Sequence, residues 1–153
     1  MLSRAQTLPW EDAGAVGRAY LQARGLCEHT LRTWGLGWCP RDLFEPPEQW
    51  GLTGKRLYLP RGVVIPHFVN GDLWALKVRR FVGDVPTKAA DGGKYGGPRG
   101  GQIALYGVDL LQGSPRPLFL VEAELDALLL WQAAGDLVDV AALGSASRTL
   151  PAR

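Results

Sequence analysis

Two β-prone runs joined by a tight turn constrain this chain more than any other feature. Val63-Val64-Ile65-Pro66-His67-Phe68-Val69 is apolar and β-branched, and Asn70-Gly71-Asp72 follows it. Leu73 to Val82 then returns with Trp74, Leu76, Val78 and Arg80 in alternation. Asn and Gly tolerate the positive φ that the centre of a tight hairpin demands. The pattern predicts an antiparallel hairpin over 63–82. Trp74 reads as sheet core, with base stacking as its alternative role.

The flanking segments are less regular. Ala15, Val16, Ala19, Tyr20 and Ala23 recur at helical spacing, so 13–24 reads as a helix stopped by Gly25. A short helix is expected over 28–34. Pro46-Pro47 marks a helical turn or loop within 41–50, and 51–61 reads as a linker. The Gly-, Pro- and Lys-rich stretch 83–101 reads as an irregular loop, 103–106 as a short strand and 108–112 as a helical turn.

A different unit begins after Gly113-Ser114-Pro115. Leu118-Phe119-Leu120-Val121 suits a strand buried on both faces, 124–134 a helix ended by Gly135, and 137–142 a second buried strand. Strand, helix, strand is one βαβ crossover with a parallel pair. The expected fold class is α+β. A mixed subdomain carrying the antiparallel hairpin occupies 1–116, and the start of a parallel sheet occupies 117–153.

Charge sharpens this division. The net charge is only +2. Yet between Lys55 and Arg116 the acids are Asp72, Asp84, Asp91 and Asp109, outnumbered by Lys and Arg. From Pro117 to Ser147 there is no Lys or Arg, while Glu122, Glu124, Asp126, Asp136 and Asp139 are present. A basic segment abutting an acidic one fits a protein that holds a polyanion with one part and divalent cations with the other. Two unrelated charged faces are the alternative.

No apolar run approaches the roughly 20 residues that span a bilayer. Met1-Leu2-Ser3-Arg4 lacks the apolar core of a signal peptide. A soluble cytoplasmic protein without a membrane partner is expected. Cys27 and Cys39 belong to no CxxC or CxxH pair, so they read as ordinary thiols and no zinc is expected.

Glu122 ends the first strand of the βαβ unit, and open parallel sheets bind ligands at the carboxyl ends of their strands. Glu124 and Asp126 follow closely. Carboxylates in that position can ligate Mg²⁺, which takes oxygen ligands. Glu124 and Asp126 also read as first-turn acids that favour a helix N-terminus.

The string Leu120-Val121-Glu122-Ala123-Glu124-Leu125-Asp126 resembles the first Toprim motif, an apolar strand ending in Glu-Gly-x-x-Asp and running into a helix. Ala142-Leu143-Gly144-Ser145 resembles the Ala-x-Gly-Thr that closes the second Toprim strand. Upstream, Tyr20-Leu21-Gln22-Ala23-Arg24-Gly25-Leu26 is similar to the Tyr-Leu-x-x-Arg-Gly-Leu that opens the polymerase domain of DnaG-type bacterial primases. Trp34 to Pro40, the Val64-Ile65-Pro66 hairpin with its trailing Arg80, Lys94-Tyr95, and Leu105-Tyr106-Gly107 match further strings of that family in order. The resemblance spans roughly 19–150. Ala123 stands where the family has Gly, and Gly96-Gly97 where it has Leu-Asn. The family's later Asp-x-Asp and its preceding zinc-binding module find no counterpart in this sequence, so the chain reads as a fragment or a shortened member, itself inactive.

The resemblance implies nucleotidyl transfer on a single-stranded DNA template, making short RNA primers from nucleoside triphosphates with Mg²⁺ or Mn²⁺. Glu122 would be catalytic, Glu122 and Asp126 would hold metal, and Lys77, Arg79, Arg80, Lys94 and Tyr95 would contact nucleic acid or nucleotide. A replicative helicase would be a partner of the family through other parts. The competing readings are a non-catalytic single-strand-binding module and another Toprim enzyme, such as a nuclease or topoisomerase.

Overall fold

The computed structural model describes residues 2–51, 53–98, 105–113 and 115–144. Helix α1 (Leu2–Thr7) leads through two 3₁₀ turns into α2 (Ala15–Ala23) and α3 (Glu28–Thr33). Short strands β1 (Gly37–Cys39), β2 (Leu43–Glu45) and β3 (Leu57–Leu59) precede the hairpin of β4 (Gly62–Val69) and β5 (Asp72–Val82). Then come β6 (Val85–Pro86), β7 (Tyr95–Gly96), β8 (Leu118–Val121), α4 (Glu124–Ala134) and β9 (Asp139–Ala142). The fold is α+β: one antiparallel sheet in the order β1-β4-β5-β6 with β7 also on β5, an antiparallel pair β2-β3, and a parallel pair β8-β9. No helix among the described residues is long and apolar enough to cross a membrane.

The hairpin forms as its turn chemistry dictates. Asn70 (φ +55°) and Gly71 (φ +81°) are both left-handed, and Val69 pairs with Asp72 across them. The Asp109 carboxylate accepts the Asn70 and Gly71 amides at 2.8 and 2.7 Å, tying the turn to a 3₁₀ turn at Val108–Leu110.

A register shift at His67/Phe68 leaves Trp74 as the extra residue of a bulge. The shift breaks the simple alternation, and Trp74 is 42% exposed instead of forming sheet core. Beyond the bulge, Lys77, Arg79 and Phe81 share one face of β5, while Leu76, Val78 and Arg80 share the other.

One apolar cluster joins Leu21 of α2, Ile65 and Phe81 of the hairpin, Tyr106, Leu125 and Leu128 of α4, and Val140 of β9. The core is therefore continuous across 116/117. Ala5, Cys39, Leu59, Val64 and Val78 make a second cluster on the other sheet face. The linker predicted over 51–61 contains β3, and β1 and β2 also escaped the sequence pattern. Strands of three residues offer too few alternations to be seen. The short strand read over 103–106 lies partly outside the described residues; Tyr106 itself bridges Ala142 in antiparallel fashion.

The C-terminal unit is a βαβ crossover, with one correction. β9 is fully buried, but Leu118, Phe119 and Leu120 of β8 are 48%, 48% and 42% exposed. An apolar run reports what a strand can bury. Here β8 has β9 as its only strand neighbour among the described residues.

Gly17 shows how closely α2 seats on the sheet. A Cβ there would stand 2.4 Å from Cε3 of Trp38. Ala in place of a mid-helix Gly gains about 1 kcal/mol, whereas overpacking a dense core costs about 1–3 kcal/mol. The close approach to a fully buried ring puts the overpacking cost at the upper part of that range, so Gly17→Ala should lower stability by roughly 1–2 kcal/mol. Urea unfolding measures this, and an unchanged or raised midpoint would contradict it.

Candidate functional site

The parallel register Leu118↔Asp139 to Val121↔Ala142 brings the carboxyl ends of β8 and β9 together. Glu122 follows β8 directly and its side chain is exposed. Its carbonyl accepts the Gly144 amide at 2.8 Å, just past β9. Asp126, in the first turn of α4, is also exposed, with its carboxylate 3.7 Å from Nη2 of Arg24.

Glu124 has a different environment. It is 1% exposed, and Lys77 Nζ donates to its two oxygens at 2.8 and 2.9 Å. The third ammonium donor goes to the Gly144 carbonyl at 2.9 Å, so all three Lys77 protons are taken. His67 Nε2 lies 3.5 Å from Glu124 Oε1, and the imidazole packs on Tyr106 with ring centroids 4.8 Å apart. Burial pushes the Glu124 carboxyl up, but the nearby His67 imidazole and the bonds and charge of Lys77 outweigh it, leaving the group below the ordinary glutamate range. Tyr106 is pushed well above the usual phenol range by its burial and by the nearby Glu124 charge.

The basic residues of β5 have distinct surroundings. Arg79 is buried; its Nε donates to Tyr20 Oη at 3.3 Å, and its Nη1 donates to the Thr87 and Lys94 carbonyls, both at 2.9 Å. Arg80 Nη1 donates to the Gly92 carbonyl at 2.6 Å. These bonds fold the segment 83–98 back onto the hairpin. Lys94 is exposed, and its side chain pairs with no group among the described residues. Lys77 and Arg79 thus spend their charge inside the protein, whereas Lys94 presents its ammonium to solvent.

Cations and rings alternate along this side of the sheet. Arg24 lies 5.9 Å from the Tyr20 ring and Arg79 5.8 Å from it. Arg79 is 5.5 Å and Lys77 4.2 Å from the half-buried Tyr95 ring. The row begins at the Asp126 carboxylate, through Arg24, and ends at Glu124, through Lys77. Arg24 and Tyr20 escaped assignment from sequence, because α2 reads there only as a core helix. Their four-residue spacing, which stacks them on one helix face, was the available signal.

Glu122 and Asp126 offer hard oxygen donors suited to Mg²⁺ or Mn²⁺, while Glu124 is committed to Lys77. Among the described residues no group of three or more His, Cys, Asp or Glu could hold a metal ion. The two exposed carboxylates fit such an ion as part of a ligand set, with Asp126 also facing Arg24.

No protein-family profile and no curated protein matches the sequence. Solved structures do. The RNA polymerase domain of Mycobacterium tuberculosis primase DnaG superposes with a TM-score of 0.71 at 16% identity, covering 99% of this chain and 55% of that one. The fold is that of the DnaG primase catalytic core. A DnaG primase catalytic domain bound to single-stranded DNA matches with a TM-score of 0.69 at 20% identity, over 97% of this chain and 52% of that one. The E. coli primase catalytic core matches with 0.66 at 20% identity, over 93% and 51%. The chain thus spans about half the length of the DnaG structures it resembles.

Proposed function

We propose that this chain is the part of a primase core that holds single-stranded DNA and contributes the first carboxylates of a Toprim metal site for primer synthesis from nucleoside triphosphates. The observation that carries the proposal is the meeting of acidic edge and basic sheet. Asp126 touches Arg24, and Glu122 is linked through Gly144 to Lys77. A phosphate bound beside a cation at the ends of β8 and β9 would meet Arg24, which already faces Asp126. A DnaG domain of the same fold was solved on single-stranded DNA, and another on duplex DNA with a six-nucleotide overhang.

In this reading Glu122 and Asp126 would help hold a divalent ion, which when bound would supply charge stabilisation for phosphoryl transfer. Arg24, Arg80 and Lys94 take template or nucleotide phosphates. Tyr95 offers the rim of its ring to a base. Arg79 shapes the loop that presents Lys94. A domain boundary near 116/117 then separates template binding from metal binding, with one core beneath both. That no group of three or more metal-ligating side chains gathers among the described residues favours a second reading, a single-strand-binding module that does not itself turn over.

Fluorescence anisotropy with a labelled DNA single strand tests the shared binding claim. Each phosphate contact on a single strand contributes about 0.7 to the log–log salt slope, or about 2.6-fold in affinity between 50 and 200 mM salt. Lys94→Ala and Arg24→Ala should each flatten the slope by about that amount. Absence of binding at 50 mM salt, or an affinity indifferent to salt, would dismiss both readings.

A further inference from the structure

The Lys77–Glu124 contact is spent inside the protein, and it joins the hairpin to the segment carrying Glu122. We propose that Lys77 and Glu124 are positioning residues that fix where Glu122 stands relative to the basic sheet; this rests on the reading of Glu122 as a metal-binding carboxylate. Lys77 spends every donor on the two chain ends of the parallel pair: two on Glu124, two residues past Glu122, and one on the Gly144 carbonyl beyond β9. The Gly144 amide in turn holds the Glu122 carbonyl. The carboxyl ends of both parallel strands are therefore pinned to one ammonium.

Other features of the contact serve the same end. Tyr95 lies against Lys77 Nζ at 4.2 Å, which narrows the paths open to a flexible lysine stem. Gly144 adopts φ +76°, so the chain leaves β9 by a sharp turn whose carbonyl faces the hairpin. A buried ion pair is poor at adding net stability over an apolar pair of the same volume. What it adds is a defined geometry, because only one placement satisfies all its donors and acceptors.

Amide hydrogen exchange of the whole chain, read residue by residue by NMR, tests the proposal without DNA or metal. In Lys77→Met and in Glu124→Gln the Gly144 amide should exchange more than fivefold faster, measured relative to the amides of β4 and β5. Lys77→Arg keeps charge and donors and should stay within fivefold of the wild type. A smaller effect in the first two variants, or Lys77→Arg behaving like Lys77→Met, overturns the proposal. If Lys77→Met does not fold, the volume-preserving Glu124→Gln carries the comparison. A wild-type Gly144 amide that exchanges like a free one overturns the proposal without any variant.

Paramagnetic broadening of the Glu122 signals by Mn²⁺ separates positioning from plain structure. Broadening in the wild type that weakens at least fivefold in Lys77→Met supports positioning. Equal broadening in the two proteins makes the pair structural only. Absence of broadening in the wild type defeats the metal reading of Glu122, and with it the purpose assigned to the pair, even where the exchange result stands.

Discussion

Lys77→Met should lower stability by about 3 kcal/mol at neutral pH, because it leaves the Glu124 carboxylate buried without its ammonium. That is a large share of the roughly 5–15 kcal/mol typical of a folded domain. The double variant Lys77→Met/Glu124→Gln should recover much of the loss, since an amide in that position carries no uncompensated charge. Urea unfolding of the two single variants and the double closes the cycle.

The pH dependence should also change sign. In the wild type the Glu124 carboxyl sits below its ordinary range when folded. Its stabilising contribution is complete above the unfolded value of about 4.3 and is lost as pH falls through the lower folded value. In Lys77→Met, burial acts on Glu124 without the ammonium. Stability should then rise as pH falls from 8 towards 5, because Glu124 takes a proton. Parallel pH profiles for the two proteins would refute this account of the pair.

The same residues mark how far the sequence could be read. Asn70-Gly71 specifies its turn by backbone chemistry alone, and the βαβ pattern needs only strand-sized apolar runs around a helix, so both are legible. Trp74 was not. The alternation continues through it, but a bulge inserted opposite His67 and Phe68 turns it outward. A bulge depends on the partner strand, which a single run of residues does not reveal.

Charge was legible as composition but not as placement. The basic excess around 77–94 is plain in the sequence, and nothing local distinguishes Arg79, sealed against Tyr20 and the Thr87 carbonyl, from Lys94, open to solvent. The distinction comes from β7 folding back on β5, a contact between segments about 16 residues apart (Arg79↔Tyr95). Glu122, Glu124 and Asp126 pose the same difficulty more sharply. They alternate along five residues, yet the middle one is buried and paired while the outer two are exposed.

That contrast supplies the most discriminating expected result. Glu122→Gln changes an exposed side chain, so stability should move by less than about 0.5 kcal/mol. Mn²⁺ broadening centred on the ends of β8 and β9 should disappear, because one carboxylate without its neighbour is a poor site for a hard divalent ion. Affinity for single-stranded DNA without metal should stay within twofold, since Arg24, Arg80 and Lys94 are untouched. Asp126→Asn should also weaken Mn²⁺ binding, yet tighten DNA binding slightly, because it releases Arg24 from its ion pair. In any primer-synthesis assay in which the wild-type sequence is active, Glu122→Gln should be inactive. Full primer synthesis by Glu122→Gln, or Mn²⁺ broadening identical to wild type, would remove Glu122 from the metal site.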